Sequence, residues 1–101
     1  MSKEALSILN IISHPLRYAI LKELGVHRDL ADLSSLLKAD SKISQLVLRY
    51  HLGKLERYKL IYSLLKRKNK QVSRVYYLTP LGELVLYRVS NLISEIEKFK
   101  L

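Results

Sequence analysis

Apolar positions recur along this chain with a helical period, except in one stretch where the period shortens to that of a strand. The stretch Ile43 to Ile61, ISQLVLRYHLGKLERYKLI, shows the helical period most clearly. Wound at about 100° per residue, it sets Leu48, Leu52 and Leu55 on one narrow stripe. Leu46, Arg49, Tyr50, Gly53, Lys54 and Arg57 turn the other way. One face is fit for a core and the other offers cations and an aromatic ring. A helix is predicted over residues 44–58, with Ser44 able to cap it.

Before it, Ser2 can cap a helix over 3–12, in which Ala5, Ile8, Leu9 and Ile12 share a face and little charge appears anywhere. Ser13-His14-Pro15 interrupts that pattern, with His14 as a turn or cap residue. Pro15 suits the first position of a second helix over 15–24, whose buried row is Leu16, Ile20 and Leu24. Gly25 is expected to take the left-handed conformation that ends helices. Asp29 can cap a short helix over 29–38 marked by Leu30, Leu33, Leu36 and Leu37, and Lys38 to Lys42 form a polar connection. Two helices joined in this way, the second basic outside, match a helix-turn-helix with a rather long turn.

After it the period changes. YSLLKRK and QVSRVYYL are rich in β-formers and flank the polar pair Asn69-Lys70, which predicts an antiparallel hairpin over 62–78. Thr79-Pro80 restarts a helix over 80–100. Along it Val85, Val89, Leu92, Ile96 and Phe99 follow at intervals of 4, 3, 4 and 3, a heptad seam longer than a small domain needs for itself. With the apolar first helix, this seam predicts a two-fold homodimer through Ile8, Ile12, Val85, Val89, Leu92, Ile96 and Phe99. The fold class expected is mainly α with a small β-hairpin (α+β), in one domain spanning 1–101.

Charge sharpens the picture. Of 101 residues 49% are hydrophobic, enough for one core, and the net charge is +9. Residues 49–74 hold nine Lys/Arg against the single acid Glu56, while the flanking parts are almost balanced. A cation excess concentrated in one quarter of the chain is the footprint of a polyanion partner, here double-stranded DNA. Without cysteine there are neither disulfides nor thiolate metal sites, which fits the reducing cytoplasm. No apolar run reaches the roughly 20 residues of a membrane span, and Met1 to Leu9 lacks the build of a signal peptide. The expected location is the cytoplasm, on the nucleoid, with no membrane.

Three stretches, SHPLRYAIL at 13–21, ISQLVLRYHLGKLERYKLI at 43–61 and RVYYLTPLGELV at 74–85, together resemble the ArsR-type winged-helix regulators of prokaryotic transcription. In that family they are the second helix, the recognition helix, and the second wing strand leading into the last helix. The resemblance implies a winged helix-turn-helix with a long C-terminal dimerisation helix. It also implies DNA reading by Ser44, Gln45, Leu46, Val47, Arg49 and Tyr50, with a wing over 66–74. Three departures stand out. Leu46 and Val47 replace small polar residues, which favours contact with thymine methyls over hydrogen-bonded base reading. Gly53 replaces a common lysine and costs about 1 kcal/mol in mid-helix, a cost that a close backbone approach to DNA or to a neighbouring helix would explain.

The third departure concerns metal. The family's paired cysteines are absent, Leu30-Ala31-Asp32 stands in that neighbourhood, and no histidine follows His51. His14, His27 and His51 lack ligand spacing, so neither a metal nor any other cofactor is expected. His51 belongs with the buried stripe, as a packing and hydrogen-bonding residue.

The expected mechanism docks residues 44–57 in a major groove. There Arg49, Tyr50, Lys54 and Arg57 meet base edges or phosphates, and Lys66, Arg67, Lys68, Lys70 and Arg74 grip the flanking backbone or minor groove. No nucleophile with a nearby base and no Gly-rich phosphate loop is recognisable, so an enzyme is not expected. Three readings remain open: a sequence-specific transcription regulator, by preference a repressor; an abundant architectural protein that coats DNA with little preference; and a winged-helix adaptor for protein partners.

Overall fold

The computed structural model describes residues 2–26 and 43–100, apart from the side chain of Lys68. The first helix, α1 (Lys3–Ile12), is capped by Ser2, whose hydroxyl accepts the Ala5 N–H at 3.1 Å. Ser13 closes it by bonding back to the Asn10 carbonyl through both its N–H and its hydroxyl. His14 then opens α2 (Pro15–Val26), its Nδ1 accepting the Leu16 N–H at 3.1 Å and its carbonyl the Tyr18 N–H. The second helix thus begins where a proline needs no donor and an imidazole serves as cap.

Gly25 does not end α2. The helix continues through Val26, and no glycine among the described residues has a positive φ. The short helix expected over 29–38, its polar connection, and with them the first arm of the helix-turn-helix and His27, lie outside the described residues.

The central helix, α3 (Gln45–Arg57), is capped by Ser44, which accepts the Val47 N–H at 3.2 Å. Its end is made by an unexpected residue. Lys59 takes φ 62°, and the Lys59 and Leu60 N–H groups bond back to the Glu56 and Leu55 carbonyls at 3.0 Å each. This is the double closure of a left-handed helix terminus, with lysine where glycine is usual. Leu55 and Leu60, both fully buried, meet beneath it.

The chain leaves this turn as β1 (Ile61–Lys68) and returns as β2 (Gln71–Leu78), antiparallel, in register from Ile61 opposite Leu78 to Lys68 opposite Gln71. Asn69, with φ 58°, supplies the left-handed residue that a two-residue reversal requires. Thr79 locks the hairpin base to the next helix. Its N–H bonds the Leu60 carbonyl, and its Oγ1 donates to the Lys59 carbonyl at 2.7 Å and accepts the Gly82 N–H at 2.9 Å. The last helix, α4 (Pro80–Glu97), therefore starts pressed against the α3–β1 turn. A Cβ on Gly82 would overlap the Leu60 carbonyl, so only glycine allows this approach.

One core joins these pieces: Ile11 and Ile12 from α1, Ile20, Leu21 and Leu24 from α2, Leu48, Leu52 and Leu55 from α3, then Leu60, Ile61 and Tyr76. The architecture among the described residues is mainly helical, four helices and a two-stranded hairpin, in a winged-helix-like α+β arrangement. Two expectations about the surface need correction. Ile12, assigned above to a dimer interface, is 6% exposed and belongs to the core. Ile8, Val85 and Val89 pack partly against the same core, so part of the α1 face and the first half of the α4 seam are used within the chain. The helix also ends at Glu97 rather than 100, with turns through Phe99.

Candidate nucleic-acid interface

Burying Leu48, Leu52 and Leu55 fixes the roll of α3, and that roll turns the opposite face outward. Gln45, Leu46, Val47, Arg49, Tyr50 and Arg57 are all exposed, Leu46 at 78% of its surface. Ser44 spends its hydroxyl on the helix cap. Lys54 is half-buried and leans over the Tyr50 ring, its Nζ 5.8 Å from the centroid. The outer face therefore carries Arg49 in its first half and Arg57 at its end, a tyrosine with a lysine beside it, and two bare aliphatic side chains near the helix start. Beyond its chain neighbours and its own helix backbone, Gly53 has no atom within 4 Å of where its Cβ would be. No neighbouring helix among the described residues accounts for it, and its backbone is open to an outside partner.

Beneath this face lies a polar support that periodicity did not reveal. Half-buried Arg17 of α2 donates from Nε to His51 Nδ1 at 3.0 Å and from Nη1 to the Ile11 carbonyl at 3.3 Å. His51 is also in ring contact with His14, at 4.5 Å between centroids, and with the Tyr50 edge at 5.2 Å. Burial lowers the His51 pKa below the usual histidine value, and the nearby His14 and Arg17 lower it further. A neutral His51 accepting from Arg17 thereby anchors α3 to α2 directly under Tyr50. The signal for Arg17 was its place in SHPLRYAIL, a basic residue beside the buried row, but its partner lies 34 residues away.

On the hairpin, Lys66, Arg67, Lys70 and Arg74 are exposed, and the Lys68 side chain is outside the described residues. Arg74 Nη1 donates to Ser63 Oγ across the strands at 2.8 Å, which holds the guanidinium against the sheet. Lys66 Nζ sits 5.7 Å from the Tyr77 ring centroid, and its hydrogen bond to Tyr77 raises its pKa above the usual lysine value. Three aliphatic side chains, Leu64, Leu65 and Val72, stand exposed among these cations.

Tyr76 feels charges from both cation sets. Its ring is buried at the hairpin base, and burial raises its pKa. Glu56 of α3 raises it further, while Arg74 of β2 and Arg49 of α3 pull it back. The end of α3 runs through the Lys59–Leu60 turn directly into β1, which sets the hairpin beside the end of that helix. The ion pair formed among the described residues, Lys100 Nζ to Glu97 Oε1 at 3.7 Å, lies far along the chain from both. Among the described residues no ion pair engages the cations of α3 or the hairpin.

Among the described residues no group of three or more His, Cys, Asp or Glu is placed to hold a metal ion, and no helix is long and apolar enough to cross a membrane. No protein-family model matches the chain, and no curated protein shows significant similarity to it.

Proposed function

We propose that this protein is a sequence-specific double-stranded DNA-binding regulator of transcription, a repressor that occludes a promoter and binds an inverted repeat as a homodimer. The observation that carries this reading is the set of exposed cations Arg49 and Arg57 on α3 and Lys66, Arg67, Lys70 and Arg74 on the hairpin, none of them in an ion pair among the described residues. A helix with Arg49, Tyr50, Lys54 and Arg57 outward fits a major groove, and the hairpin cations fit the adjacent backbone or minor groove. The resemblance to ArsR-type winged-helix regulators points the same way. Metal sensing does not fit this chain, because the cysteines that resemblance would need are absent.

Homodimerisation is supported by apolar side chains left outside the core. Leu92 and Ile96 on α4, Phe99 just beyond it, and Leu6 and Leu9 on α1 are about half exposed or more. A two-fold axis through these terminal helices would pair like with like and set two α3 helices about 34 Å apart, one turn of DNA.

A second reading, a coating protein of low sequence preference, is favoured by one observation. Leu46 and Val47, bare and exposed at the head of α3, can press on any groove that offers methyl groups but form no directed bonds. Replacing Arg49 and Tyr50 together by alanine separates the two. A specific regulator loses roughly 1–3 kcal/mol of discrimination for each lost base contact, while its salt slope falls only modestly. Equal loss on all sequences would favour the coating protein.

A further inference from the structure

Away from the cation surface, a cavity of about 520 Å³ opens between the hairpin base, the end of α2 and the middle of α4. Part of its wall is the cross-strand pair Tyr62 and Tyr77, whose rings stack with centroids 5.2 Å apart and planes inclined by 22°. Another part comes from α4, where Glu83, Tyr87, Ser90 and Asn91 lie on one face by their spacing. The Ser90 hydroxyl is already bonded to the Tyr18 hydroxyl at 2.9 Å, which braces that wall against α2. Leu24 and Leu78 add apolar surface. The volume falls within the range of small-molecule sites, roughly 300–1,000 Å³.

The charge of this lining is the reverse of the chain's. The protein carries 18 Lys/Arg, yet Glu83 is the one charged side chain among the described residues that line the cavity. Aromatic faces present the negative side of their quadrupole, so three tyrosines and a carboxylate together favour positive charge. The Lys66 ammonium already lies beside the Tyr77 ring, so a further cation would rely on Tyr62, Tyr87 and Glu83. An inorganic cation would have to shed its hydration for aromatic walls that replace it poorly. An organic cation with apolar substituents loses far less.

We propose that this cavity binds a monovalent organic cation bearing apolar groups, of the quaternary ammonium or phosphonium kind, with Tyr62 and Tyr87 lining it and Glu83 balancing its charge. The binding stands independently of any DNA activity. Its use as a regulatory input rests on the function proposed above, because a ligand here would touch both the hairpin base and α4, the elements assigned to DNA and to the second copy.

The test uses the full chain without DNA and two ions of similar shape and opposite charge, tetraphenylphosphonium and tetraphenylborate, followed by calorimetry at near-physiological salt. The net charge of +9 draws the borate to the surface at large, so a preference for the phosphonium isolates the cavity. The result expected is saturable binding of one phosphonium per chain, and no saturable binding of the borate. Tyr87→Ala and Glu83→Gln should each weaken the phosphonium about tenfold, as loss of one cation–aromatic or charge contact implies. Both residues are exposed, so the variants should melt like the parent chain, which circular dichroism checks. Absence of saturable phosphonium binding, borate binding as tight, or unchanged binding by both variants would each overturn the proposal.

Discussion

His51 shows how a single residue can carry both packing and electrostatics beneath the outer face of α3. It is 6% exposed, its Nδ1 accepts from Arg17, and its pKa is lowered by burial first and by His14 and Arg17 after. Between that lowered value and the ordinary one near 6.5, the unfolded chain binds a proton that the folded chain does not. Stability from this group is therefore complete above the ordinary histidine range and is lost as pH falls through it towards the lowered value. The urea midpoint should drop between about pH 7.5 and about pH 5.5. His51→Gln keeps an acceptor for Arg17 but cannot take up the proton, and should flatten that part of the curve. An undiminished slope in the variant would place the pH dependence on other groups.

Elements were legible where a cap side chain announces a helix. Ser2, Ser44 and Thr79-Pro80 each mark a start that the structure realises with the expected hydrogen bond. Leu48, Leu52 and Leu55 gave the buried side of α3 because only one roll of the helix hides all three. Ends were harder to read. Gly25 carries the residue type that usually stops a helix, but α2 runs past it in ordinary helical conformation. Lys59 carries a type that avoids the left-handed region, and yet it turns the chain there, because burying Leu60 against Leu55 and bonding Thr79 demand the reversal. At Lys59 long-range packing overrides local preference. The assignment of Ile12 to a dimer surface failed similarly, since periodicity shows which face of α1 is apolar but not which part of it the chain itself covers. Arg17 and Tyr76 went unread because their partners are distant in sequence. Lys59→Gly should relieve the backbone strain and raise stability by about 1 kcal/mol, read from urea unfolding. A fall in stability would mean that the lysine side chain contributes more than its backbone costs.

At the scale of the whole molecule, charge and apolar surface divide the labour. The core takes Ile12 and part of Val85 and Val89, and leaves Leu92, Ile96 and Phe99 outside, Phe99 with 86% of its surface exposed. Replacing Leu92, Ile96 and Phe99 together by serine should convert a dimer to a monomer in sedimentation equilibrium while the far-ultraviolet circular dichroism stays helical. A parent chain that sediments as a monomer at tens of micromolar would remove the homodimer from the proposal. The exposed cations of α3 and the hairpin fit the polyanion partner proposed above, and the proposed homodimer would present two such surfaces to an inverted repeat.

The most direct measurement is capture of fragmented genomic DNA from the source organism by the purified protein at near-physiological salt, followed by sequencing of what is retained. The account predicts discrete enriched fragments that share an inverted repeat with half-sites about one helical turn apart. Even recovery across the genome would contradict sequence-specific regulation, and no recovery at all would contradict DNA binding itself.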